Sequence, residues 1–206
     1  MTPEAFAALL REVRASAILR TDDAAAAGPA MEAAVRGGFR VVEFTLTIPR
    51  AVDRIAEFAA RPGLVVGAGT VLTVEEARAA VEAGATFLVS PVVDETVIEE
   101  AARLGVAAIP GCATPTELLR AHRAGAPLQK LFPAPAGGPA WLKAALAPLP
   151  FLRVVPTNGV TGENVAAWLA AGAWAVGFTT PLFDPAEVTA GQVDRIEARA
   201  RRLLAA

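Results

Sequence analysis

Residues 64–91 read LVVGAGTVLTVEEARAAVEAGATFLVSP. A short apolar run, LVVGAG, gives way to a turn at Thr70. A charged, alanine-rich stretch follows and ends at Ala83-Gly84, a natural helix C-cap. FLVSP then resumes the apolar run. Strands that are short and apolar throughout, alternating with helices, call for a parallel sheet covered by helices.

The same order recurs outward in both directions. Strand candidates are SAILR (16–20), VVEFTL (41–46), LVVGAG (64–69), FLVSP (87–91), AAIPG (107–111), LQKLF (128–132), FLRVVPT (151–157) and WAVGFT (174–179). Helical stretches such as AAAAGPAMEAAVRGG, ETVIEEAARLG and GENVAAWLAAG lie between them. Eight such units, about 25 residues each, predict an α/β chain folded as a (β/α)₈ TIM barrel. An open doubly wound sheet is the alternative. Ahead of the first strand, Phe6, Leu9, Leu10 and Val13 fall at helical spacing among charges, which predicts an amphipathic N-terminal helix and not a signal peptide. No linker divides the chain, so residues 1–206 are expected to form one domain in the cytoplasm.

Composition narrows the chemistry. The formal net charge is −2 and no basic cluster exceeds Arg201-Arg202, which argues against nucleic acid as a partner. No uncharged apolar run approaches the roughly 20 residues of a membrane span. One cysteine (Cys112) and one histidine (His122) leave little means for a disulfide framework, a zinc site or a Ser–His–Asp triad, so no metal or cofactor is expected. The 19 Lys and Arg include only two lysines, Lys130 and Lys143. Arginine cannot lose its proton near neutrality and lysine can, so a retained lysine is a candidate for work that arginine cannot do. Lys143, in PAWLKAALA, reads as an exposed helix residue.

Active sites on such sheets sit at the C-terminal ends of the strands. Two ionisable residues stand inside apolar strands there, Glu43 in VVEFTL and Lys130 in LQKLF. Burying such groups costs several kcal/mol unless they are paired or neutralised. One reading is a structural ion pair. The other is a desolvated lysine that attacks a ketone while a carboxylate moves protons. Thr45 and Thr47 share the Glu43 side of the strand by period two. PTNGVTGENV (156–165) offers backbone N–H groups and a helix start, with Thr161 as N-cap, as an anion site.

These residues resemble the bacterial 2-keto-3-deoxy-6-phosphogluconate / 2-keto-4-hydroxyglutarate aldolases over residues 16–183. The motifs carrying the resemblance are VVEFTLTIP, VGAGTVLT, FLVSP, PGCATPTEL and, above all, QKLFPA. The resemblance implies a class I aldolase, with Lys130 as the Schiff-base nucleophile and Glu43 as general acid/base. It further implies Thr70 against the pyruvate carboxylate and Pro91 and Phe132 as pocket walls. Thr157, Asn158, Gly159 and Thr179 fall where the family holds phosphate. It implies a small-molecule keto-acid substrate and a homotrimer. Two positions depart from the pattern. Thr47 replaces an arginine that binds the substrate carboxylate, which leaves that task to Thr70, backbone N–H groups or Arg20. That arginine is also missing from the galactonate-type branch. Asn158 replaces the first glycine of a P-T-G-G loop. A phosphosugar isomerase or epimerase that uses Lys130 only as a charge is the competing enzyme reading.

Overall fold

The computed structural model describes all 206 residues. It is a mixed α/β structure built on curled parallel sheet. The strands are β1 (Ala15–Leu19), β2 (Val41–Thr45), β3 (Val65–Gly69), β4 (Phe87–Val89), β5 (Ala107–Ile109), β6 (Gly111–Cys112), β7 (Gln129–Leu131), β8 (Val154–Pro156) and β9 (Val176–Phe178). The helices are α1 (Pro3–Val13), α2 (Ala24–Arg36), α3 (Ala51–Ala59), α4 (Val74–Glu82), α5 (Glu95–Arg103), α6 (Pro115–Arg123), α7 (Gly138–Leu146), α8 (Val165–Ala170), α9 (Pro185–Thr189) and α10 (Val193–Leu204).

One sheet runs in the order β5-β4-β3-β2-β1-β9 and the other in the order β6-β7-β8. Pro110 separates β5 from β6. It has no N–H for a ladder, yet its carbonyl accepts from the Lys130 N–H at 2.9 Å. At the other junction the Trp174 N–H donates to the Val154 carbonyl at 2.8 Å, and Thr157 bridges Gly177 in parallel.

Sequence explains where the helices start. Thr73 with Glu76, and Thr114 with Glu117, form capping boxes for α4 and α6, and Asp23 and Asp94 cap α2 and α5. Each such cap is worth about 1 kcal/mol. Helices between strands pack their apolar stripes on the outer face of the sheet, as Ile55 and Phe58 of α3 do, both fully buried. Burying such a side chain contributes roughly 1.5–3 kcal/mol. The inner face holds a second core, in which Phe6 and Leu10 of α1 meet Val41, Phe87, Ile109 and Val155. Phe6 stacks on Phe87 with ring centroids 4.5 Å apart, and the Trp174 indole N–H donates to the Ala7 carbonyl at 2.7 Å. The amphipathic N-terminal helix therefore closes the end of the sheet opposite the strand C-termini.

Three details correct the sequence reading. FLRVVPT is strand only from Val154. Residues 151–153 stay outside it: the Arg153 N–H is taken by the Gln129 side chain at 3.0 Å, and Phe151 lies half-exposed against His122. Thr161 is not an N-cap. Helix α8 starts at Val165 after Asn164, and Thr161 opens the preceding turn. Ten helices stand where nine were expected, the N-terminal one included; the addition is α9, a single short turn after β9. No helix is long and apolar enough to cross a membrane.

Candidate active site

A cavity of about 470 Å³ opens at the C-terminal ends of the strands. Period-two alternation sends Ile18 and Arg20 into it from β1 and its end, Glu43 from β2 and Lys130 from β7. Thr70, Pro91, Phe132, Thr157, Asn158 and Thr179 join them from the strand ends. Nine of the ten residues predicted for the site thus converge on one cavity. Gly159 is the exception. It lies behind Asn158, and its positive φ of 116° lets the chain turn where a Cβ would stand 3.0 Å from that of Ala134.

Glu43 and Lys130 are only 2% and 7% exposed. No ion pair joins them: every pair within 4.0 Å uses other residues. Neither side chain makes a hydrogen bond to protein, and the Lys130 ammonium nitrogen lies 4.5 Å from the centroid of the Phe132 ring. Burial pushes the Glu43 carboxyl above its ordinary range, against the opposing pull of Lys130 and Arg20. Burial likewise pushes the Lys130 amine down; Glu43 opposes this and Arg20 adds to it. Both shifts favour the uncharged forms, an amine able to attack and a carboxyl able to give a proton and, once ionised, take one back.

The surrounding backbone leaves room for these two groups. Gly67 and Gly69 face the same side of β3. A Cβ on Gly67 would collide with the Phe87 ring, and one on Gly69 would collide with the Glu43 carboxylate. The glycines of LVVGAG therefore have a steric role here. On the rim, the Arg20 guanidinium donates to the Thr70 hydroxyl at 3.0 Å, and Thr70 is held at φ 60°. A non-glycine residue in that region marks local strain. Thr45 and Thr47 bond each other at 2.9 Å and do not line the cavity.

Asn158 also sits at φ 60°. Behind it the Asn164 side chain accepts from the Thr161 N–H at 2.8 Å and donates to the Gly159 carbonyl at 2.9 Å. The turn is thus clamped in shape, and the Thr161 N–H is withdrawn from any anion. Ile18, Phe183 and Pro185 complete the walls, together with Thr180. Ile18 was findable from its alternation with Arg20. Phe183 and Pro185 lie on the loop after β9, where no periodicity points to them. Lys143 and His122 are exposed helix residues away from the cavity, and burial pushes the Cys112 thiol up to about 12. No three His, Cys, Asp or Glu side chains cluster to hold a metal ion.

Comparison with known proteins points the same way as the motifs. The chain is 39% identical over 166 residues to the 2-dehydro-3-deoxy-phosphogluconate aldolase of Pseudomonas aeruginosa, spanning 79% of this chain and 74% of that one. It is 38% identical over 159 residues to the 2-dehydro-3-deoxy-6-phosphogalactonate aldolase of Escherichia coli, spanning 73% and 75%. The crystal structure of a KDPG aldolase from Legionella pneumophila, with pyruvate captured at low pH as a covalent carbinolamine intermediate, superposes with a TM-score of 0.87. That match has 26% identity and covers 96% of this chain and 97% of that one. The model of the KDPG and KHG aldolase family matches residues 6–199, and the chain belongs to that family as an aldolase, a carbon–carbon lyase.

Proposed function

We propose that the chain cleaves a 2-keto-4-hydroxy acid to pyruvate and an aldehyde through a Schiff base on Lys130. The observation that carries this is the pair Lys130 and Glu43. Both are buried, bonded to no protein group, and open to one cavity. A structural ion pair would bring the two charges into contact, and these are held apart.

The neutral amine of Lys130 attacks the C2 ketone, and a proton from the Glu43 carboxyl lets the hydroxyl leave as water, which gives an iminium and a Glu43 carboxylate. Glu43, directly or through one water, takes the proton of the C4 hydroxyl. The C3–C4 bond breaks and its electrons flow into the iminium, which leaves an enamine and frees the aldehyde. Glu43 returns a proton to C3, and water releases pyruvate from Lys130. Arg20 and Thr70, already bonded to each other, are placed to hold the substrate carboxylate in the absence of an arginine at Thr47. Thr157, Asn158 and Thr179 bound the far end, with Gly159 shaping the turn behind them. The candidate substrates are 2-dehydro-3-deoxy-6-phosphogluconate and 4-hydroxy-2-oxoglutarate, with 2-dehydro-3-deoxy-6-phosphogalactonate as the alternative. The matching identities to gluconate- and galactonate-type relatives leave the two branches level.

We also infer that the two sheets are one barrel of eight strands. The Pro110 carbonyl bond to Lys130 and the Thr157–Gly177 bridge support this. On that reading β5 and β6 are a single strand interrupted at Pro110.

Borohydride reduction with pyruvate, followed by peptide mass mapping, tests the chemistry. The expected result is a pyruvate-dependent mass gain on Lys130 and none on Lys143 or the N-terminus. Lys130→Arg keeps the charge and should abolish turnover. Near-normal activity in that variant would refute the covalent route.

A further inference from the structure

Beneath the substrate cavity lies a second, internal compartment of about 10 Å³, near the least that admits one water molecule. Its floor is Phe6 and Leu10 of α1, and its walls are mostly aliphatic. Four polar side chains face it: Ser16, Glu43, Lys130 and Thr157. All four are more than nine-tenths buried, with Ser16 at 7% exposure, and none makes a hydrogen bond to another protein group. Glu43, Lys130 and Thr157 also line the substrate cavity, so they form the partition between the two spaces. Ser16 belongs to the inner space alone. It lies one inward position below Ile18 on β1, and the mechanism above does not use it.

We propose that Ser16 is a positioning residue that holds one water molecule behind Glu43 and Lys130, and that this water carries protons between them from the side away from substrate. A buried water needs two to four polar partners, and this compartment supplies four. The Ser16 hydroxyl and the Lys130 amine donate to the water oxygen. The two water protons go to the Glu43 carboxylate and the Thr157 hydroxyl. When a Lys130 ammonium hydrogen passes to the water oxygen, the water gives one of its own hydrogens to Glu43. An N–H bond breaks, an O–H bond forms, and net charge is unchanged. The products are the neutral amine and neutral carboxyl that burial of both groups favours. The route stays open while substrate fills the outer cavity. It deepens the Schiff-base reading and rests on it.

The charged groups facing Glu43 across both spaces are Lys130 and Arg20; every other lining residue is uncharged. In the imine complex Lys130 no longer titrates as an amine, so the acid limb of the kcat–pH profile reports Glu43. A water that donates to the carboxylate favours its charged form. Ser16→Ala loosens that water, and the acid limb should move to higher pH by roughly one unit, the equivalent of one ordinary hydrogen bond, with KM unchanged. Ser16→Cys, which keeps the volume and offers only a weak donor, should move it the same way. A high-resolution crystal structure of the unmodified protein should show an ordered water within hydrogen-bond distance of the Ser16 hydroxyl. An unmoved limb in both variants, or a dry compartment, overturns the proposal. If pyruvate fails to trap on Lys130 in the unmodified protein, the Schiff-base reading falls instead, and the crystallographic water is judged separately.

Discussion

Gly69 and Glu43 are in steric register: a Cβ on Gly69 would occupy the place of the Glu43 carboxylate. The relation arises because Thr45 pairs with Gly69, so the longer Glu43 side chain reaches up its own strand and lies against the neighbouring one. The glycine is therefore part of how the carboxylate is aimed.

Gly69→Ala should displace Glu43 with little effect on the fold. A misplacement of about 1 Å in a proton-transfer group costs roughly 100-fold in rate. Retro-aldol turnover is expected to fall by about that factor while borohydride still traps pyruvate on Lys130. Equal loss of trapping and turnover would show that the methyl group disturbs Lys130 as well.

Buried Lys130 sets a stability cost that has a defined pH dependence. Its folded pKa lies below its ordinary 10.5, so between the two values the unfolded chain binds a proton that the folded chain does not. Its contribution to stability thus rises with pH through that window. Glu43 is raised above its ordinary 4.5, so its contribution is present below 4.5 and is lost as pH rises through the folded value. Near pH 7 both groups weaken the fold. Lys130→Met should be inactive yet more stable by about 1–2 kcal/mol, or roughly 2–8 °C in Tm. Melting curves from pH 6 to 10 should show the advantage shrinking as pH rises.

Much of this site was legible before the structure because its chemistry contradicts its surroundings. A glutamate in VVEFTL and a lysine in LQKLF are residues that a core avoids, and both reach the cavity. Residues that agree with their surroundings stayed hidden. Ser16 differs from its neighbours by one hydroxyl, and only its alternation with Arg20 sets Ile18 apart. Phe183 and Pro185 follow β9 on a loop whose course is set by tertiary packing. The apolar run Phe151-Leu152 suggested strand, but a side-chain amide from Gln129 captured the backbone first. The clamp by Asn164 was likewise invisible, since its two bonds exist only once the turn has closed.

Arg20 is the one rim cation that faces the cavity without an acidic partner. Its bond to Thr70 fixes the guanidinium near the space where a carboxylate would sit. Charge-assisted hydrogen bonds are worth about 1.5–3 kcal/mol. Arg20→Ala should raise the KM for the keto acid by roughly 30-fold, with a smaller change in kcat. Initial rates over a range of substrate concentrations make the distinction. A large fall in kcat at constant KM would assign Arg20 to the chemical step.

Asn158 decides what the far end of the cavity accepts. It is exposed at the rim and held at φ 60°, a conformation that asparagine tolerates and glycine adopts freely. The hydroxyls of Thr179 and Thr180 and the ring of Phe183 line the same cavity. A phosphate there would depend on hydroxyls and backbone N–H groups, and the Asn158 carboxamide stands in its approach. Asn158→Gly opens that approach without straining the backbone. The ratio of kcat/KM for glyceraldehyde 3-phosphate over glyoxylate, measured in the addition direction with pyruvate, should rise by about tenfold, which corresponds to roughly 1.4 kcal/mol. The opposite change, a loss confined to the phosphorylated aldehyde, would mean that the carboxamide donates to phosphate. Asn158 would then be a binding group in place of a barrier.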